Sequence, residues 1–69
     1  MMYKIIDWET GQIIKEYPEQ LLFSATAYCD ELRFPATVEK IIDGEWFLVH
    51  RNERAILEEN RLDSLGESL

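Results

Sequence analysis

Three isoleucine pairs, Ile5-Ile6, Ile13-Ile14 and Ile41-Ile42, and the apolar run Trp46-Phe47-Leu48-Val49 fall in four short segments bounded by turn-forming residues. Successive side chains on a β-strand point to opposite faces, so each pair sets one large apolar group on each side of a sheet. Both faces of such a sheet want cover. The sequence provides one clear amphipathic helix, enough for one face, and what covers the other becomes the main functional question.

Met2 to Asp7 reads as the first strand and Gln12 to Tyr17 as the second, joined through Trp8-Glu9-Thr10-Gly11 by a loop of three to five residues in which Gly11 can take positive φ. Pro18 ends the second strand, because it has no amide to give to a ladder and suits the first turn of a helix. From Glu19 to Arg33 the residues Leu21, Leu22, Ala25, Tyr28, Cys29 and Leu32 recur at helical spacing and form one apolar stripe. Glu19 and Arg33 match the two ends of the helix dipole, and Phe34-Pro35 closes the element. Thr37 to Ile42 and Glu45 to Arg51 flank Asp43-Gly44, the pair that most strongly favours a tight type I′ hairpin turn.

The segment 52–69 is read as helical or partly flexible. Asn52 is a fitting N-cap, Gly66 a fitting C-terminal cap, and the apolar residues Ala55, Ile56, Leu62 and Leu65 make a broken stripe. In the alternative reading Arg51-Asn52-Glu53-Arg54 is a third turn and Ala55-Ile56-Leu57 a fifth strand. The resulting expectation is a single α+β domain over residues 1–69, ββαββ in order. It has an antiparallel or mixed four-stranded sheet, one helix on one face, and a short C-terminal helix.

With 69 residues, 46% of them hydrophobic and 12% aromatic, the chain is too apolar for a disordered linker and too short for a second domain. The single cysteine, Cys29, cannot form an internal disulfide, and with no leader pattern at the start this suggests a reducing cytoplasmic setting. Apolar runs of four residues cannot span a membrane. Fourteen acidic against seven basic residues give a formal net charge of -7. Such a field repels nucleic-acid phosphates and favours a basic protein partner. In size and charge the chain looks like the short acidic accessory proteins of bacterial and phage genomes, a likeness that assigns no role to any residue.

No catalytic, metal or cofactor site is expected. His50 and Cys29 alone cannot build a zinc site, and adjacent acids such as Asp30-Glu31 and Glu58-Glu59 do not face one another on a helix. The three glycines are isolated, so there is no phosphate-cradling loop, and Asp43 and Glu45 do not make a calcium loop. The expected function is therefore a non-enzymatic protein-interaction module. It would bind another protein, or a second copy of itself as a homodimer, through the second sheet face, with Tyr3, Trp8, Trp46, Glu39, Asp43 and Glu45 as candidate contact residues. A sharper version is an acidic decoy for the DNA-binding groove of a basic protein. The competing expectations are a small enzyme or ligand-binding module using His50, and a purely structural oligomeric subunit.

Overall fold

In the computed structural model, which describes residues 2–67, four strands form one antiparallel sheet: β1 (Met2–Asp7), β2 (Ile13–Pro18), β3 (Ala36–Ile42) and β4 (Glu45–Arg51), in the spatial order β2-β1-β3-β4. Because β2 and β3 are both antiparallel to β1, they run in the same direction with β1 between them. The chain must then cross the sheet to get from one to the other, and helix α1 (Leu22–Glu31) is that crossing. A second helix, α2 (Glu53–Glu67), follows β4 and completes a small α+β fold.

Both turns obey their side-chain chemistry. At Asp43-Gly44 the two φ angles are 52° and 81°, the pair of positive values that a type I′ turn requires. The β1–β2 connection, residues 8–12, is held by the Asp7 carboxylate, which accepts the amides of Glu9 and Thr10, and by the Gly11 amide bonding back to the Asp7 carbonyl at 2.8 Å. Gly11 sits at φ 76°, where a side chain would be strained.

The crossing helix is shorter than the apolar spacing implies. A 3-10 turn, Glu19–Leu21, precedes it, and Leu32 is already extended (φ -67°, ψ 142°). Pro35 disfavours the helical region for Phe34, so the helix does not resume after Leu32. Arg33 therefore lies beyond the helix and does not sit in its last turn. Of the stripe, Ala25 and Cys29 are buried, while Leu22, Tyr28 and Leu32 pack at the margin. Leu21 is exposed, because its turn precedes the regular helix.

Register assigns the faces. Tyr3, Ile5 and Asp7 on β1 share a side with Lys15 and Tyr17 on β2, with Ala36, Val38 and Lys40 on β3, and with Phe47 and His50 on β4. This is the side under α1, and the core consists of Tyr3, Ile5, Ala25, Cys29, Ala36 and Val38. Ile5 and Val38 are fully buried neighbours across β1 and β3, and each such side chain stabilises by about 1.5–3 kcal/mol. At the sheet margin Tyr17 and Tyr28 pack with ring centroids 6.1 Å apart, and the Lys15 ammonium lies 4.6 Å from the Tyr28 centroid.

Asn52 joins everything that meets at the other end. It is 1% exposed, and its side chain makes four hydrogen bonds. Its Oδ1 accepts the Ala55 amide at 2.9 Å, which is the N-cap of α2, and the Ala36 amide at 3.2 Å. Its Nδ2 donates to the carbonyls of Cys29 and Phe34, both at 2.9 Å. The helical reading of the C-terminal segment and its Asn52 cap therefore hold, and the third hairpin does not form. The helix runs on through Gly66 to Glu67 instead of stopping before that glycine, and residues 68–69 lie outside the described part.

Replacing Asn52 should be the most costly polar substitution in the chain. Asn52→Ala removes a cap and strands the Ala36 amide and two carbonyls, so chemical denaturation should show a loss of about 2–4 kcal/mol. Asn52→Asp should also destabilise, because a carboxylate cannot donate to the Cys29 and Phe34 carbonyls. A loss below about 0.5 kcal/mol in both variants would show that these bonds do not organise the fold.

Candidate functional site

The side of the sheet away from α1 carries Met2, Lys4 and Ile6 from β1, Ile13 and Glu16 from β2, Thr37, Glu39 and Ile41 from β3, and Trp46, Leu48 and Arg51 from β4. Among the described residues α2 reaches this side only at its Thr37–Arg51 corner, where Ala55 is buried and Glu59 pairs with Arg51. Elsewhere the face is open. Met2 is 43% exposed, Ile13 48%, Trp46 48% and Leu48 55%, with Ile6 and Ile41 half-buried between them.

Two bulges shape this surface. The extra residue on β2 is Ile14, between Lys15 opposite Ile5 and Ile13 opposite Ile6, and on β4 it is Val49. At a bulge the strict alternation fails, so both members of the Ile13-Ile14 pair are exposed. Ile5-Ile6 and Ile41-Ile42, in regular stretches, divide between the faces.

The charges on the open face nearly cancel, two basic groups against three acidic ones once Glu59 of α2 is counted. Lys4 is ion-paired with Glu16 and stands directly across from Glu39 on its other side, and Arg51 is held by Glu59. The strands therefore contribute two basic groups, Lys4 and Arg51, and two acidic ones, Glu16 and Glu39, to this face. Since the whole chain carries -7, the excess acid lies on other surfaces.

The six candidate contact residues do not form one cluster. Trp46 and Glu39 are on the open face, where Trp46 stands across from Ile41 and Glu39 from Leu48, and Glu39 accepts the Thr37 hydroxyl at 3.0 Å. Tyr3 is 8% exposed because its place on β1 turns it under α1, so it belongs to the core and not to a contact surface. Trp8 is half-buried in the β1–β2 turn, with its amide bonded to the Pro35 carbonyl at 3.1 Å. Asp43 is in the tight turn, and Glu45 is exposed at the start of β4 on the α1 side. Ile13 and Leu48 are exposed on the same face but are not among the six candidates. Leu48 was readable as the alternation partner of Trp46, whereas Ile13 needed the position of the bulge.

His50 Nε2 lies 2.7 Å from Asp30 Oδ1, a contact that ties β4 to the end of α1. Cys29 follows a different path: its thiol donates inward to the Ala36 carbonyl at 3.4 Å, and it is fully buried. Burial, and then the Asp30 charge, push its pKa up to about 11 against a donated bond from Asn52. The thiolate that nucleophilic chemistry needs is thus suppressed. Two surface clefts among the described residues hold about 220 Å³, between Asp30–Arg33 and Asn52–Arg54, and about 290 Å³, between Glu9, Pro35, Arg54, Leu57 and Glu58. Both fall just short of ordinary small-molecule sites, which start at about 300 Å³. Among the described residues no three of His, Cys, Asp and Glu gather as metal ligands, and no helix is long and apolar enough to cross a membrane.

No protein-family model, curated protein or solved structure matches this chain. What it does has to be argued from its own surface.

The raised thiol pKa has a direct consequence. Cys29 stays protonated in the fold up to about 11 but ionises near 9.0 when exposed, so its contribution to stability is intact below pH 9 and is lost as pH rises towards 11. Titrating the unfolding free energy of wild type against Cys29→Ala should show a steeper alkaline fall in wild type alone, and native protein at pH 8 should resist thiol reagents. Parallel alkaline profiles would show that the thiol does not titrate this way.

Proposed function

We propose that the chain is a protein-interaction module that docks through the uncovered face of its sheet, with Trp46, Leu48 and Ile41 at the centre of the contact. The observation that carries this reading is a sheet with one face packed under α1 and the other presenting Met2, Ile13, Trp46 and Leu48 to solvent at 43–55% exposure. The Glu16–Lys4–Glu39 row separates Ile13 and Ile6 from the Met2, Ile41 and Trp46 group, which Leu48 adjoins; exposed apolar surface on a small domain marks interfaces, and an exposed tryptophan flanked by aliphatic groups is the usual anchor of one.

The balance of charge on that face supports an apolar partner surface over a basic groove. A decoy that imitates nucleic-acid phosphates needs a row of unpaired carboxylates, whereas Glu16 is paired with Lys4 and Glu39 accepts a hydroxyl beside it. The excess acid then serves to keep a protein with an exposed apolar face dispersed. A single cysteine, buried as a free thiol, suits a reducing cytoplasmic setting. His50 and Asp30 serve in this reading as a clasp between β4 and α1 and not as an acid–base pair.

The test is a comparison of tagged wild type with Trp46→Ala and Leu48→Glu as baits, washed in rising salt. Both variants should lose the proteins that wild type retains, by tenfold or more, which corresponds to about 1.4 kcal/mol, while thermal unfolding stays within a few degrees of wild type. Retention should survive high salt, because the contact is apolar. Unchanged prey on both variants would refute the reading, and prey released by moderate salt would restore the acidic decoy.

A further inference from the structure

On the α1 side of the sheet, at its β2 edge, the Lys15 ammonium stands over two aromatic rings at once, 5.0 Å from the Tyr17 centroid and 4.6 Å from that of Tyr28. Both distances are within the reach of a cation–π contact, about 6 Å. The rings are 6.1 Å apart and tilted by 58°, so they form a notch between β2 and α1. Tyr17 and Tyr28 are half-buried and packed against the core, which holds the rings in place, whereas Lys15 is exposed. The chain has twice as many acidic as basic residues, yet among the described residues no carboxylate forms an ion pair with Lys15. Its ammonium is held by the rings.

We propose that the Tyr17–Tyr28 notch is a binding site for a weakly hydrated organic cation of the quaternary ammonium class, and that Lys15 is a tethered occupant which keeps it closed until such a ligand arrives. The structure itself shows the chemistry that the notch accepts, an ammonium held through two rings without a counter-ion. A primary ammonium suits such a place poorly, because it is compact and strongly hydrated and its four-carbon stem loses rotamer freedom when pinned. A quaternary ammonium gives up less hydration on entering, and its methyl groups pack against both rings. Lys15 is exposed, so it can swing into solvent without leaving a cavity in the core. The net charge of -7 draws cations to the molecule. Because the notch lies on the α1 side, it is separate from the sheet face proposed above for docking.

The experiment is a nuclear magnetic resonance titration of the full chain with tetramethylammonium chloride, set against sodium chloride at matched ionic strength, in wild type, Lys15→Thr, Tyr17→Leu and Tyr28→Leu. Threonine suits an edge strand and is too short to reach the rings. Wild type should show saturable shifts of the Tyr17 and Tyr28 ring signals, and Lys15→Thr should bind about threefold more tightly or better, because the tethered competitor is gone. Each tyrosine variant should bind about fivefold more weakly or worse, as the loss of one of two rings requires, and either one carries the test where the other fails to keep a native amide spectrum. Ring shifts in Lys15→Thr no larger than those with sodium chloride would overturn the site. Equal affinity in wild type and Lys15→Thr would overturn the role of Lys15 as occupant. Trimethyl-lysine, free and within a short peptide, then separates the two sources of such a cation. Tighter binding of the peptide assigns the notch to a methylated lysine on a protein, equal binding assigns it to a free amine, and both uphold the class of ligand.

Discussion

The side chain of Asn52 is the constraint on which the arrangement of this fold depends. Its four hydrogen bonds connect the last turn of α1, the Phe34-Pro35 bend, the first residue of β3 and the first turn of α2, all within one buried group. Buried hydrogen bonds of this sort matter chiefly through the cost of leaving their partners unpaired, about 1–3 kcal/mol for each. The four described ion pairs are partly exposed, and pairs of that kind contribute at most about 1 kcal/mol each. Position therefore comes from one neutral amide and not from the many charges.

From that junction the exposed surfaces follow by topology. Once α1 has crossed from β2 to β3 over one side of the sheet, only α2 is left to cover the other. Asn52 starts α2 at the end of the sheet where Ala36 and Arg51 lie, so the helix buries Ala55 there, with Ile56 and Leu57 exposed. An open sheet face and a free β4 edge are thus consequences of where the second helix is capped.

Much of this was readable from residue order. The isoleucine pairs in regular strands divide between faces, and Asp43-Gly44 adopts two positive φ angles because the chemistry of that turn is local. Asn52 as an N-cap was legible for the same reason. Its bonds to Cys29, Phe34 and Ala36 were not, since each joins residues 16 to 23 positions apart and depends on three elements arriving together. Nor was the burial of Tyr3: an aromatic residue on a two-sided strand has no local signal for which face it takes until the neighbouring strands set the register. The bulges at Ile14 and Val49 were equally silent, and they decide which apolar residues reach the surface.

Charge then separates the two functional readings that the sequence left side by side. A net charge of -7 suggests an acidic ligand-like surface as long as the charge is treated as uniform. Once the strands are in register, the apolar side chains share a face with Lys4, Arg51, Glu16 and Glu39, and with Glu59 of α2 that face carries only a small part of the acidic excess. The long-range field and the contact surface thus have different tasks. On the interaction reading proposed above, the acid disperses the protein and a partner on the sheet is selected by apolar shape, because a basic partner would be drawn to other parts of the molecule.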